Sequence, residues 1–160
     1  MSDSDGMRIY QRSLAFLLVV AVHELFPDAR VLVDHSLTMG GLFCEVRGRP
    51  PLSADEVAQL NQRMHEIAAA DEPIVRRNVP VGTAVALFKQ QGDQDKVNLL
   101  KYRRKEYLPV YELRGVVDYF FGYMLPSTGY LHLFAVQPYP PGFLLRFPRR
   151  RAPYQLSFIQ

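Results

Sequence analysis

The sequence predicts an α+β protein with two layers, in which helices pack on a mainly antiparallel sheet. Three observations support this. A long apolar segment with helical periodicity opens the chain, and a second helix begins with the capping sequence SADE at 53–56. The second half then alternates short apolar runs with glycine and proline, the pattern of strands joined by turns. Because helices and strands do not alternate regularly, a doubly wound parallel sheet is not expected.

Residues 10–26 form the first predicted helix. Apolar residues recur along one side at helical spacing, and Phe16, Val19 and Val20 make the opposite side apolar as well. A helix that is apolar almost all round is buried on both sides. Pro27 ends it.

The rest of the chain divides into short elements. Two or three helices are expected to cover the sheet, and YPPG at 139–142 is expected to be a turn because proline fixes φ and glycine tolerates positive φ. The predicted helices after the first are 53–67, 80–91 and a short one after Asp95, and the predicted strands are 30–36, 42–46, 73–79, 110–113, 116–123, 131–136 and 144–147.

Composition indicates a soluble globular protein of one domain. Of 160 residues, 48% are hydrophobic and 22% are charged, and the net charge of +3 is too small to indicate a nucleic-acid partner by itself. The single cysteine, Cys44, cannot form an internal disulfide. The longest apolar run, residues 14–22, is about half of a membrane span. We therefore expect a cytoplasmic protein with no membrane partner.

The domain is expected to cover residues 10–148. Residues 1–9 are acidic and polar, and we expect them to be disordered. Residues 149–160 are expected to be a basic tail or linker.

No motif for a metal or a nucleotide cofactor is present. The chain lacks both glycine-rich phosphate loops, and one cysteine cannot make a CxxC pair. No two histidines lie three or four residues apart, which excludes a helical metal pair, and His65 is expected to be solvated. A triad of Ser127, His132 and Asp118 is disfavoured because Pro-Ser-Thr-Gly is ordinary turn chemistry.

A basic stretch, KYRRKEY at 101–107, interleaves aromatic and charged residues. This pattern suits contact with a nucleic-acid backbone combined with base stacking. The alternative is a solvated edge with extended basic side chains. The candidate RNA-binding residues are Arg76, Arg77, Lys101, Arg103 and Arg104.

The order of several motifs resembles the editing domain of threonyl-tRNA synthetases, which is shared with alanyl-tRNA editing proteins. The most specific pieces are HELFPDA at 23–29, RRNV at 76–79 leading into AVALF at 84–88, and VDYFFGYMLPSTG at 117–129. The resemblance covers roughly residues 10–137. It implies the α+β fold of that domain, whose activity is removal of mischarged serine from tRNA.

The resemblance also implies that the editing site is degenerate. The family places H-x-x-x-H on the first helix and C-x-x-x-H beside the PSTG turn, and phenylalanine can neither bind a metal nor move a proton. We therefore expect no catalytic residue and no metal, with the apolar replacements filling or lining the old cleft. The replaced positions are Arg12, Phe16, Phe120 and Met124, and the neighbouring Lys and Asp of the family survive as Lys96 and Asp118.

Residues 97–134 and QPYPPGFLLRFPRR at 137–150 resemble, more closely still, the N-terminal region of bacterial uridine kinase-like proteins of the phosphoribulokinase/uridine kinase group. There, a degenerate editing-like domain precedes a P-loop kinase domain. This resemblance implies a non-catalytic module with a substrate-binding or regulatory role, which contacts the kinase domain and an RNA or a nucleoside. ATP and Mg²⁺ would belong to the downstream kinase domain, with no cofactor in this segment. An RNA- or tRNA-binding module is the alternative, and a freestanding aminoacyl-tRNA deacylase is disfavoured by the lost polar groups.

Overall fold

The computed structural model describes residues 3–37, 41–101, 106–120 and 122–147. Within these residues it contains four α-helices, a short 3-10 turn and seven strands in two antiparallel sheets. The predicted α+β class is therefore confirmed. Arg103, Arg104 and the tail at 149–160 lie outside the described residues.

The helices are α1 (Asp3–Leu25), α2 (Ala54–Ala69), α3 (Val81–Gln90) and α4 (Gln94–Leu100), and the 3-10 turn is Thr128–Tyr130. The strands are β1 (Arg30–Leu37), β2 (Gly41–Arg47), β3 (Val75–Pro80), β4 (Tyr107–Leu113), β5 (Val116–Asp118), β6 (Ala135–Tyr139) and β7 (Gly142–Arg146).

Several predicted boundaries are shifted. Residues 3–9, expected to be disordered, form the first turns of α1. The cap of α4 is Asp93 rather than Asp95, because the Asp93 carboxylate accepts a hydrogen bond from the Lys96 N–H. The SADE capping box of α2 forms as predicted, with Ser53 and Glu56 each accepting from the other's backbone N–H.

The first sheet has four strands in the order β1-β2-β7-β6. Its inner face packs with α1 and α2 in the main hydrophobic core. Side chains alternate along a strand, so Leu42 and Cys44 of β2 enter this core while Phe43 lies on the opposite face. Cys44 is fully buried, as expected for a small apolar side chain, and burial raises its pKa to about 12.

The second sheet, β3-β4-β5, has helices on both faces. Tyr111 and Leu113 of β4 join the main core beside α1, while Leu108 and Val110 of the same strand pack with α3 and α4 in a second core. The expectation of a single sheet is therefore wrong. It follows that α1 lies between the two sheets, which explains why the sequence is apolar on both of its faces.

Charged side chains tie α1 to the second sheet. Arg114, at the turn between β4 and β5, donates to Glu24 of α1 and to Glu72 at 2.6 Å each. Arg63 of α2 donates to the same Glu24 carboxylate at 2.9 Å. Partial burial raises the pKa of Glu24, but these two guanidinium groups lower it more, so the pKa lies below its usual value.

Candidate functional site

The candidate site lies where α1 faces residues 119–120 and 122–127, together termed here the cleft loop. β5 was expected to continue to residue 123, but the chain leaves the sheet after Asp118. It does so because polar groups of α1, α4 and β4 bind the loop backbone. All six predicted site residues are arranged around this loop.

Phe16 and Phe120 fill the centre of the site. The Phe16 side chain is fully buried, and its ring centroid lies 5.5 Å from that of Phe120 at an interplanar angle of 57°. Phe120 and Met124 are half-buried and pack on the same main core. The Phe16 ring is therefore part of the packed core and does not line an open pocket.

Arg12 closes one end of the cleft by binding the loop backbone. Its guanidinium donates a hydrogen bond to the Tyr123 carbonyl oxygen and lies directly against Gly122. A Cβ atom on Gly122 would be 2.6 Å from the guanidinium carbon, and the φ of this residue is +113°. The positive φ favours glycine at this position, and a larger residue would displace the Arg12 guanidinium.

Lys96 and Asp118 bind each other. The Lys96 Nζ lies 3.1 Å from the Asp118 Oδ1, 3.3 Å from the Tyr119 carbonyl oxygen and 5.8 Å from the centroid of the Phe120 ring. Asp118 also accepts from the Tyr119 N–H at 2.8 Å. The pair thus holds the start of the cleft loop against α4.

Burial raises the pKa of Asp118, although the Lys96 ammonium and the Tyr119 N–H lower it in part, and the nearby Asp93 carboxylate adds to the rise. Above the unfolded-state pKa of 3.8, the folded protein consequently holds a proton that the unfolded chain releases. The contribution of Asp118 to stability is greatest at low pH and falls as pH rises through the raised pKa.

We expect Asp118→Asn, which cannot titrate, to gain in stability relative to the natural chain as pH increases above about 4. The amide oxygen can still accept from the Tyr119 N–H. The measurement is urea unfolding of both proteins from pH 3.5 to pH 7. If the stability of the natural chain instead rises relative to that of the variant as pH increases, attraction to Lys96 outweighs the desolvation of Asp118.

Three further anchors of the cleft loop were not identified from the sequence. Ser13 of α1 is fully buried and accepts from the Leu125 N–H at 2.8 Å, and the Tyr111 hydroxyl donates to the Gly122 carbonyl oxygen at 2.6 Å. The backbone N–H of Ile74 donates to the Pro126 carbonyl oxygen at 2.9 Å. Ser13 is polar although Ile9 and Leu17, one helical turn away on either side, are apolar, and this was a visible signal. The other two anchors depend on contacts distant in sequence.

The PSTG turn is fixed by polar contacts with the end of α2. Thr128 is fully buried, and its hydroxyl donates to the Ile67 carbonyl oxygen at 2.7 Å and accepts from the Glu72 N–H at 2.8 Å. Asp71 accepts from Ser127 Oγ at 2.5 Å and from the Gly129 N–H at 2.9 Å. Ser127 is therefore occupied with Asp71 rather than with Asp118.

Of the basic candidates that the structure describes, Arg76 and Arg77 lie on opposite faces of β3. Arg77 forms an ion pair with Glu112 of β4, while its neighbour Arg76 points to the other side of β3, 5.7 Å from the ring centroid of the exposed Tyr123. Lys101 is exposed at the end of α4.

The expectation that His65 is solvated is wrong. Its ring stacks on Phe134, with 4.0 Å between centroids and an interplanar angle of 7°. Burial lowers the pKa of His65, while a hydrogen bond to the Phe134 backbone raises it in part. Phe134 is 69 residues away in sequence (134 − 65), so helical periodicity could not reveal the contact.

Among the described residues, no cluster of three or more His, Cys, Asp or Glu side chains could hold a metal ion. Within the same residues, none of the helices has the length and apolar character to cross a membrane.

Comparison with known proteins finds similarity to threonine–tRNA ligases. The chain is 37% identical over 133 residues to the threonine–tRNA ligase of Acidovorax sp. (strain JS42), a match that covers 82% of this chain and 21% of the ligase. The threonine–tRNA ligases of Delftia acidovorans and Burkholderia ambifaria are 35% and 32% identical to it over 133 residues, or 82% of this chain and 20% and 21% of those ligases. No protein-family model matches the chain.

The chain therefore spans about a fifth of the length of the relatives it matches. It is homologous to a segment of threonyl-tRNA synthetases. That homology, together with the α+β fold, supports the interpretation of the chain as a synthetase-editing-like domain.

Proposed function

We propose that this chain is a non-catalytic, degenerate editing-like domain with a binding or regulatory role. The observation that carries the proposal is the complete burial of Phe16 and its contact with Phe120. These two residues occupy positions where the editing motif has polar groups. An apolar contact there leaves no side chain that could activate water or bind a metal ion.

The polar side chains that remain at the site hold the loop in place. Arg12 binds the Tyr123 carbonyl oxygen, and Lys96 and Asp118 bind each other and the backbone of Tyr119. A general base needs to be within hydrogen-bonding reach of its substrate. Asp118, almost fully buried and engaged with Lys96, is poorly placed for that role.

We further propose that the domain belongs to a cytoplasmic uridine kinase-like protein, in which it serves a kinase domain that binds ATP and Mg²⁺. The support is the resemblance of residues 97–134 and 137–150 to the N-terminal region of such proteins. The domain itself would contact the kinase domain or a nucleoside.

The RNA-binding alternative has weaker support from the geometry. Arg77 is paired with Glu112, and Arg76 lies on the opposite side of the strand, so these two arginines do not form one continuous surface. The exposed Arg76–Tyr123 pair is the feature that favours it, because an aromatic ring beside a guanidinium can stack on a base.

We expect the chain to hydrolyse seryl-tRNA and alanyl-tRNA no faster than the uncatalysed background. The reason is the replacement of the polar editing groups at four positions, with Phe16 sealed in the core. The measurement is release of the amino acid from labelled aminoacyl-tRNA at a large excess of protein. The control is Asp118→Ala: turnover by the natural chain that this variant abolishes would show that a catalytic site persists.

A further inference from the structure

β3 is an edge strand of the second sheet, in which β4 is its neighbour on one side. Backbone groups alternate along a strand, and those of the odd-numbered residues of β3 face β4. The N–H of Val81, directly after β3, fixes this register, because it donates to the Glu106 carbonyl oxygen at 2.8 Å. The even-numbered residues consequently point their N–H and C=O groups outward. Ile74 fits this alternation, because its N–H donates to the Pro126 carbonyl oxygen at 2.9 Å rather than to β4.

Two other parts of the margin of this sheet are closed by the protein itself. On the β5 edge, the Gln91 side-chain amide donates to the Val117 carbonyl oxygen at 2.8 Å and accepts from the Val117 N–H at 2.7 Å. Just before β3, residues 72–74 pair with residues 126–128 through two backbone hydrogen bonds of 2.9 Å. Outward backbone groups are therefore satisfied at both of these places.

The middle of β3 differs, because Arg76 and Asn78 are both exposed. Among the described residues, no group donates to or accepts from their outward N–H and C=O groups. The part of the chain that the structure describes thus leaves residues 76–78, termed here the β3 edge, open for pairing. An open edge can accept another strand through main-chain hydrogen bonds.

We propose that the β3 edge docks an extended, acidic segment of a partner protein as an added strand. Addition of a strand to a sheet edge is a general mode of peptide recognition, in which main-chain hydrogen bonds supply affinity. The added segment would continue the line of residues 126–128, which already pair with the same side of the chain. The β3 edge does not involve the apolar contact at the centre of the cleft, so the proposal stands independently of the proposed function.

Charge selects the partner. Arg77 already pairs with Glu112, whereas no described carboxylate pairs with Arg76. A carboxylate opposite Arg76 on the added strand would supply that pair, and the exposed Tyr123 ring beside Arg76 offers an apolar contact. A second copy of this chain fits poorly, because pairing of two β3 strands would bring the arginines of both copies together.

The first test titrates the chain with two synthetic peptides, one in which glutamate alternates with valine and one in which lysine replaces glutamate. The glutamate peptide should bind and should slow amide hydrogen exchange at Arg76 and Asn78, but not at Arg77, whose N–H faces β4. Equal binding of the two peptides would overturn the proposal, as would the absence of binding at millimolar peptide.

Side-chain variants test the role of charge with the same peptide. Arg76→Ala should weaken binding about three- to fivefold, because it removes the charge that faces the glutamate. The matched control is Lys89→Ala, which removes an exposed cation from the end of α3. It should change the affinity by less than about twofold. Equal losses in the two variants would show that the peptide responds only to net charge, and the proposal would be wrong.

The last test removes one backbone donor. Asn78→Pro deletes the outward N–H without breaking a β3–β4 hydrogen bond, and proline is tolerated on edge strands. It should weaken binding about tenfold, whereas the matched control Asn78→Ala, which keeps the N–H, should change it less than about twofold. If Asn78→Pro does not fold, hydrogen exchange in the natural chain decides. Natural affinity in a folded Asn78→Pro would refute strand addition. Binding of a single-stranded RNA but not of the glutamate peptide would also refute the proposal.

Discussion

Phe16→Ala is expected to destabilise the protein by about 3–5 kcal/mol, the range for removing a phenylalanine from a packed core. The Phe16 ring is fully buried and contacts Phe120, so its loss leaves a cavity between α1 and the cleft loop. Alanine favours a helix more than phenylalanine by about 0.5 kcal/mol, which offsets only a small part of the loss. Urea denaturation of the two proteins measures the difference.

Phe16→Leu is the matched control, since it keeps most of the hydrocarbon and should cost less. The double variant Phe16→Ala/Phe120→Ala should lose less unfolding free energy than the sum of the two single variants, because each single change removes the same ring contact. A loss below about 1 kcal/mol in the free energy of unfolding for Phe16→Ala would mean that the ring is not part of a filled core and that the cleft between α1 and the loop is open.

Thr128→Val is expected to lower the free energy of unfolding by about 2–4 kcal/mol, although valine has nearly the same shape as threonine. The buried hydroxyl serves the Ile67 carbonyl oxygen and the Glu72 N–H, and valine leaves both groups without this partner. Each buried polar group that loses its hydrogen bond costs about 1–3 kcal/mol. Thr128→Ser retains the hydroxyl and loses one methyl group, so it should cost about 1 kcal/mol. If Thr128→Ser is less stable than Thr128→Val, packing rather than hydrogen bonding stabilises the PSTG turn.

The local elements of the fold could be predicted because their signals are local. The apolar periodicity of α1, including the second face around Phe16, correctly predicted a helix buried on both sides. The SADE capping box correctly located the start of α2. Arg12 and Phe120 both lie at the cleft loop, and their assignment to an editing-type site stays a prediction.

What the sequence did not reveal depends on contacts between distant residues. The end of β5 at Asp118 cannot be read from an apolar run that continues to residue 123, because the loop is held by Ser13 and Tyr111 from other elements. The division into two sheets depends on strand pairing, and an apolar strand pattern does not identify its partner. The stacking of His65 is missed for the same reason.

The position of α1 between the two sheets has a consequence for how the protein folds. The core around α1 includes residues of β5 and β7, which lie more than 90 residues later in the chain. Neither sheet can therefore pack fully on α1 early in synthesis. Contacts so distant in sequence slow folding, because long loops must close before they are made. These contacts also couple the two sheets, because α1 packs against both and cannot separate from one sheet without exposing the other. The domain should accordingly unfold in a single cooperative transition, and a fragment cut between α2 and β3 should not fold.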